Sequence, residues 1–563
     1  MYTNNYRQIL PPAPFCFQLT ESRLGRNVGE FLFHGGAILP AHGDHAPESL
    51  LVIGDRIDFV GSLADARRCA KDAGRVPQEI DLAGRAIVPG FIDGHLHPMP
   101  MIFFAMSADL NGAHDMAAVG ARLHAQQARL AVDEWLIGVQ FESNRLPAGE
   151  VLDAVLLDQW FPDRPVLIYG RDGHGVIVNS VVLSMLSGEL ASDPAGGTIG
   201  RDASGHPDGR FFEKAVGLVQ AKTPIPAPGR MLVAMGEVFA RLARSGITSI
   251  GAMLQSDDEG PAGEAGRLES FIALALPELV AQSIYTIVIG RTLAGVEALA
   301  GSALDDPRRS TKTRAIKIFA DGTFGSCTAC MNQPYSDSGC THGYMTLPED
   351  EIYRRMEAAH LAGYQICIHA IGDRGIANCV RLFERLLAEH PCEDHRHRIE
   401  HASIADHELI ARIARIGLHV CSQPLFIRSE MAWLPARLGE ERTGHVYPFR
   451  DFLDAGIALA GSSDAPIEDP DVIAAIDFAV NRGGFHPEQG VSVREALDMY
   501  TANAARLQFE ENDKGSLNAG KLADLVILDR DPLSVPAQDI GTLSVMATMI
   551  RGRFVHDLIG VQG

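Results

Sequence analysis

The 563-residue sequence has no run that approaches a bilayer span, which takes roughly 18 uncharged apolar residues. Its best candidate, FIALALPELV at 271–280, is interrupted by Pro277 and Glu278. The first residues, MYTNNYRQILPPAPF, carry one Arg and no long apolar core. They do not read as a signal peptide, and the expectation is a cytoplasmic protein. Positive charge is scarce as well. Lys and Arg total 49 against 71 Asp and Glu, a net charge of −22. Phosphate backbones need a basic surface, so nucleic acid is excluded as a partner and anionic membranes are disfavoured. A small molecule remains as the expected partner, with self-association into a homo-oligomer left open. A disulfide framework is also missing. The nine cysteines are odd in number and scattered along a long chain, as reduced thiols are. Cys327 and Cys330 form a single C-x-x-C with no second pair, which reads as packing of small residues and not as a metal or redox site. No solenoid repeat and no block of five like charges occurs.

What is present is ample material for a core, with 46% hydrophobic and 21% charged residues. The length predicts two or three structural units. Residues 1–28 are Pro-rich and irregular, an expected N-terminal arm. Residues 29–84 and 515–557 alternate apolar and polar positions around Gly turns, the pattern of antiparallel strands. They predict one β-sandwich domain built from both chain ends. The middle changes character. Short β-branched runs at 85–97, 246–253, 283–290, 315–322, 364–370, 397–403, 418–424 and 456–466 alternate with helical stretches. One of these, ADHELIARIARIG, is amphipathic and stopped by Gly417. Eight strand–helix units predict an α/β fold, a (β/α)8 TIM barrel over 85–99 and 231–514, with its active site at the C-terminal strand ends. Roughly 150 residues separate the first two runs, where one unit needs about 30. Residues 100–230 are therefore predicted to be an inserted α+β unit, a lid over the barrel mouth. Within it SDPAGGTIGRDASGHPDG (192–209) reads as turns or a hairpin.

The histidines fit this barrel. His95 and His97 end the first run in PGFIDGHLHP. Alternate residues of a strand share a face, so both imidazoles point into the mouth and can chelate one ion. His369 ends the fifth run, His401 the sixth and Asp464 the eighth, and Lys317 lies in the fourth. Imidazole nitrogens and a carboxylate oxygen suit a borderline divalent ion such as Zn²⁺. An ammonium aimed at a dication is unfavourable. Lys317 therefore turns away, is neutral through a depressed pKa, or carries a carbamate. Asp321, before Gly322, reads as a turn residue or a support for a ligand. Asp373 and Glu400 are near enough in sequence to accept from the far nitrogens of the ligand imidazoles. His174 and Asn179, in DGHGVIVNS, read either as substrate-binding groups on the lid or as a polar turn. Gln423 ends the seventh run and is a third candidate for the pocket.

The segments PGFIDGHLH, HAIGD, RIEHA and GSSDAP resemble the motifs of the amidohydrolase superfamily. DGHGVIVNS, KIFADGTFGS, HAIGDRG and NAARLQFEENDKGSLNAGKLADLVILDRDP are similar to its amidohydrolase family 3, the YtcJ-like group. The resemblance covers about residues 29–557. It implies a barrel plus a β-sandwich, and a metal-activated water that attacks a carbon bearing a nitrogen or oxygen leaving group. By match to the motifs, His95 and His97 hold the more buried metal, and His369 and His401 the other. Asp464 contacts the buried metal and shuttles the proton. Lys317 matches the position that carries a bridging carbamate in two-metal members. The chain departs from the group at Cys327, where an Arg is common, at GVIVNS after DGH, and at the extra Ser of GSSDAP. These departures bear on substrate identity.

The chemistry asks for such a set. A metal ion lowers the pKa of bound water from about 15.7 toward about 7 and polarises a carbonyl. An amine leaves only when protonated, and a carboxylate that moves a proton from water to nitrogen meets that need. Asp464 is the candidate. The expected function is hydrolysis of a C–N bond in an amide, formamide or N-acyl compound, with two zinc ions as the expected cofactors. The alternatives are a deaminase of the same superfamily and a metal-retaining, non-catalytic protein that binds a small ligand.

Overall fold

Strands of a parallel barrel are buried on both faces and need apolar residues on each. Phe91–Leu96 and Ser283–Ile289 are buried along their whole length. The computed structural model describes residues 29–40, 47–143, 146–147, 149–171, 175–186, 188–194, 197–213, 215–224, 226–257, 276–299, 312–339 and 341–561. The expected arm at 1–28 and His174 lie outside the described residues. Phe91–Leu96, Ile247–Gln255, Ser283–Ile289, Lys312–Phe319, Gln365–Ala370, Arg398–His401, His419–Ser422 and Leu459–Gly461 pair in parallel, in chain order. Alternation sorts their side chains. Met253, Tyr285, Ile287, Ala315 and Cys367 meet in the interior, while Ile284, Ile316, Ile318, Ile366 and Ile368 face the surrounding helices.

The first and last strands share no ladder. Two backbone bonds beyond their ends close the ring: Asp464 N–H to His95 C=O at 2.8 Å and His97 N–H to Ala465 C=O at 2.7 Å. Asp93 adds a side-chain clasp, accepting from Ser463 Oγ at 2.6 Å and from Ser463 N–H at 3.1 Å. The extra Ser of GSSDAP thus lies in the barrel seam.

Two boundaries differ from expectation. The run at 85–97 splits at Gly90. Ala86–Pro89 joins a second sheet, antiparallel to Leu525–Leu528, and only Phe91–Leu96 enters the barrel. Pro89 has no N–H to continue a ladder, and a Cβ at Gly90 would lie 2.3 Å from Thr248 Oγ1. The insertion also begins later. Helix Pro98–Ala105 packs Met99 and Ile102 into the same core as Met231 and Met235 of helix Pro228–Arg244. What remains is a six-stranded sheet with helices, running in space Gly197–Arg201, Pro207–Glu213, Gly175–Val178, Val166–Gly170, Leu136–Phe141 and Ala108–Asp109. The turn-rich segment forms the hairpin of its first two strands. The unit reaches the barrel beside Asp464: Gln140 Nε2 donates to Pro466 C=O at 2.9 Å, and Arg171 lies 3.5 Å from Glu468.

The chain ends build two further sheets. One contains Glu30–His34, Ser49–Ile53, Arg56–Gly61 and Gln78–Asp81; the other contains Ala37–Ile38, Ala86–Pro89, Leu525–Leu528, Val545–Ile550 and Arg553–Asp557. Phe31, Phe33 and Val52 of the first pack with Leu525, Ile527 and Met549 of the second. Deletion after Lys514 removes three of these strands and leaves Ile87 and Val52 without their covering partners. Unpaired edges over exposed apolar surface drive aggregation, so the truncated chain is expected in the insoluble fraction. A soluble truncation with a cooperative melt would show that the N-terminal strands stand alone. Among the described residues, no helix is long and apolar enough to cross a membrane.

Candidate metal centre

His95 and His97 leave the first strand on one side, and Asp464 meets them from the turn after the eighth. Asp464 reaches this position with φ of 55°, a left-handed conformation that Asp tolerates better than most residues. Its Oδ1 lies 3.2 Å from His95 Nε2 and 3.1 Å from His97 Nε2. That oxygen is buried and has no hydrogen bond of proper geometry. Buried polar atoms in folded proteins are otherwise paired. Three donor atoms that converge within 4.8 Å without bonding one another fit a cation between them. Their charges agree with this. Burial alone would raise the pKa of Asp464, but His95 and His97 outweigh it and hold the carboxyl well below its ordinary range. Burial pushes His97 down, toward the neutral imidazole that binds metals.

The other predicted ligands stand beside this group. The His369 and His401 ring centroids are 4.6 Å apart, and those of His95 and His401 are 5.2 Å apart. Burial, with Lys317 next in effect, lowers His369 to about 3. Burial and His369 hold His401 well below the ordinary histidine range. Both shifts favour the neutral imidazole. Lys317 is buried on the fourth strand, with Nζ 5.3 Å from the Phe319 ring centre, and burial lowers its pKa. All six residues thus gather at one end of the barrel. The second cluster of potential ligand atoms among the described residues, Glu357, Glu389 and His390, lies between outer helices. It is engaged in ion pairs, His390 with Glu357 at 3.1 Å and Glu389 with Arg385 at 2.9 Å.

Behind the ligands, Glu400 Oε2 lies 2.6 Å from His95 Nδ1. Burial would raise the pKa of Glu400, but Arg398 and His95 hold it far below the usual range. Asp321 accepts from the backbone N–H groups of Ile371 at 3.0 Å and of Cys330 and Gly372 at 2.9 Å. It ties together the loops after the fourth and fifth strands. Burial raises it to about 7. Burial likewise raises Asp93, the seam residue, to about 6.

Two substrate-binding expectations are corrected. Gln423 is fully buried; its Oε1 lies 2.8 Å from His401 Nδ1 and its Nε2 donates to Ser462 Oγ at 2.8 Å. It is engaged with the His401 imidazole and with Ser462 and is shut off from solvent. Asn179 is fully buried within the insertion, where it caps helix Ser180–Met185. Its amide accepts from Val166 N–H at 3.1 Å and donates to the Arg164 carbonyl at 2.8 Å. An amide so engaged has no capacity left for substrate. Asp373 is also not behind an imidazole; it binds Asn332 N–H at 2.8 Å. Sequence reasoning missed Arg398 and Asp93, and the extra Ser of GSSDAP closes the barrel seam through Asp93. A charged residue two before Glu400 in HRIEH, hence on the same strand face, was the available signal.

The model of the amidohydrolase family matches residues 78–556. YtcJ of Bacillus subtilis (strain 168) is 29% identical over 93% of this chain and 99% of its own length. An N-substituted formamide deformylase of Arthrobacter pascens is 25% identical over 91% of this chain and 95% of its own. Among solved structures, a metal-dependent hydrolase of Pyrococcus furiosus superposes with a TM-score of 0.73 at 27% identity, covering 90% of this chain and all of its own.

Proposed function

Because the chain belongs to the amidohydrolase family, we propose that it is a metal-dependent hydrolase that cleaves a C–N bond of a small amide, formamide or N-acyl compound. The observation that carries this reading is the convergence of His95, His97 and the unbonded oxygen of Asp464. A divalent ion held there, zinc by its donor set, supplies an acidified water and a polarised substrate carbonyl. Asp464 accepts a proton from the attacking water as the new C–O bond forms. It returns that proton to the nitrogen, so that the C–N bond breaks and a neutral amine departs. His369 and His401 would hold a second ion, and Lys317, if its amine is carboxylated by CO₂ with loss of a proton, would supply an anionic ligand beside both. The formamide class is supported by the Arthrobacter relative. The reading carries with it a cytoplasmic location, supported by the unpaired cysteines of the described residues.

Elemental analysis of the purified full chain, followed by a panel of formamides, N-acyl compounds and aminopyrimidines, tests the proposal. Two metal equivalents per chain and release of an amine from a formamide or N-acyl compound are expected. Chelation should abolish turnover, and zinc should restore it. Ammonia released from an aminopyrimidine alone would redirect the reading to deamination. A metal-free chain that turns over nothing would end it.

A further inference from the structure

Arg398 lies inside the barrel below the metal centre, and it is 0% exposed, as is Glu400, while His95 is 1% exposed. Its Nε donates to Glu400 Oε1 at 2.5 Å, and its Nη2 donates to the Gly94 carbonyl at 3.1 Å. The other carboxylate oxygen of Glu400 meets His95 Nδ1 at 2.6 Å. One guanidinium therefore grips His95 twice, through Glu400 at the ring and through Gly94 at the preceding peptide. Stability alone explains such a pair poorly, since apolar residues of similar volume often serve as well as a buried ion pair. The other histidines are held differently. His401 Nδ1 faces the neutral amide of Gln423 at 2.8 Å, and His369 Nε2 faces the Gly322 carbonyl at 3.1 Å, with the Asp321 carboxylate beyond hydrogen-bond distance at 3.6 Å. The surroundings of Gly94 leave little slack. A Cβ there would lie 2.8 Å from Cys421 Sγ and 3.2 Å from the Gly461 carbonyl. A shift of this peptide would meet the closing strands of the barrel.

We propose that Arg398 and Glu400 are positioning residues for His95. Together they fix the proton on Nδ1 and the plane of the ring, so that Nε2 points toward Asp464. A carboxylate behind the ring is a recurring means of orienting metal-bound histidines. The assignment rests on the reading of His95 as a metal ligand.

The test uses the full chain stripped of metal. Zinc affinity is measured by competition with a chelator, and thermal melting is followed in the same metal-free samples. Glu400→Gln is expected to weaken zinc binding by about 10–100-fold. It should also lower the melting temperature, because Arg398 is left buried without an anion. The double variant Arg398→Met/Glu400→Gln removes both charges. It is expected to recover the melting temperature and not the zinc affinity. Recovery of both in the double variant would make the pair merely structural and overturn the proposal. Wild-type affinity in Glu400→Gln would do the same. If Glu400→Gln fails to fold, the double variant decides alone. A wild-type chain that takes up no zinc overturns the metal reading and this proposal with it, and the wild-type titration tells that failure apart from the others.

Discussion

Asp464→Asn is expected to lose at least about a hundredfold in turnover, the lower range of general acid–base contributions, while it melts like the wild type. Asn has the same shape and tolerates the left-handed backbone that Asp464 adopts with φ of 55°. The backbone bond from Asp464 N–H to His95 C=O at 2.8 Å is untouched. What changes is the charge between His95 Nε2 and His97 Nε2, 3.2 and 3.1 Å away. A neutral amide cannot take a proton from water at this point, nor hand one to nitrogen. Metal content should fall in parallel, and assays at saturating zinc separate that loss from the chemical one. Near-normal turnover with a full complement of metal would remove Asp464 from the mechanism. Alanine is a poorer probe here, since a Cβ without a polar tip in a left-handed conformation adds strain of about 1–2 kcal/mol.

Lys317→Ala is expected to drop metal content from about two equivalents to one or fewer, with activity near background. Lys317 is 2% exposed on an inward-facing position of the fourth strand, level with Cys367 of the fifth. Burial disfavours its cationic form, and a neutral amine is the form that adds to CO₂. The product would be an anion with two oxygens, the ligand the proposed two-metal site requires. Native mass spectrometry of the wild type should show the added mass of one CO₂. Short carboxylic acids should partly restore activity to Lys317→Ala by standing in for the missing oxygens. An active wild type with one metal and an unmodified Lys317 would leave a mononuclear hydrolase.

The barrel was legible because its strands are short β-branched runs in a regular rhythm of helices. The candidate histidines and Asp464 stood out because they sit where those runs stop, whereas Lys317 lies within its strand. Side-chain direction beyond a strand end was not legible. Glu400 and His401 are neighbours, and strict alternation would send them to opposite faces. Both nevertheless come within reach of His95, because His401 takes a φ of 72°. No period in the sequence announces that turn. The directions of Asn179 and Gln423 were not legible for a related reason: each amide faces inward, to backbone groups or to an imidazole. The helix Pro98–Ala105 was assigned to the insertion because MPMIFFA is apolar all round and so gives no face. Its partner, residues 228–244, lies more than a hundred positions away.

The clasp between Asp93 and Ser463 joins residues 370 positions apart. At synthesis rates of about 5–20 residues per second, Asp93 emerges from the ribosome roughly 20–70 s before its partner. During that interval the first strand can pair with the second on one edge while its other edge waits. His95 and His97 are already made, but the carboxylate that completes their triad is not. A nascent or prematurely terminated chain therefore cannot assemble this triad until translation has passed the eighth strand.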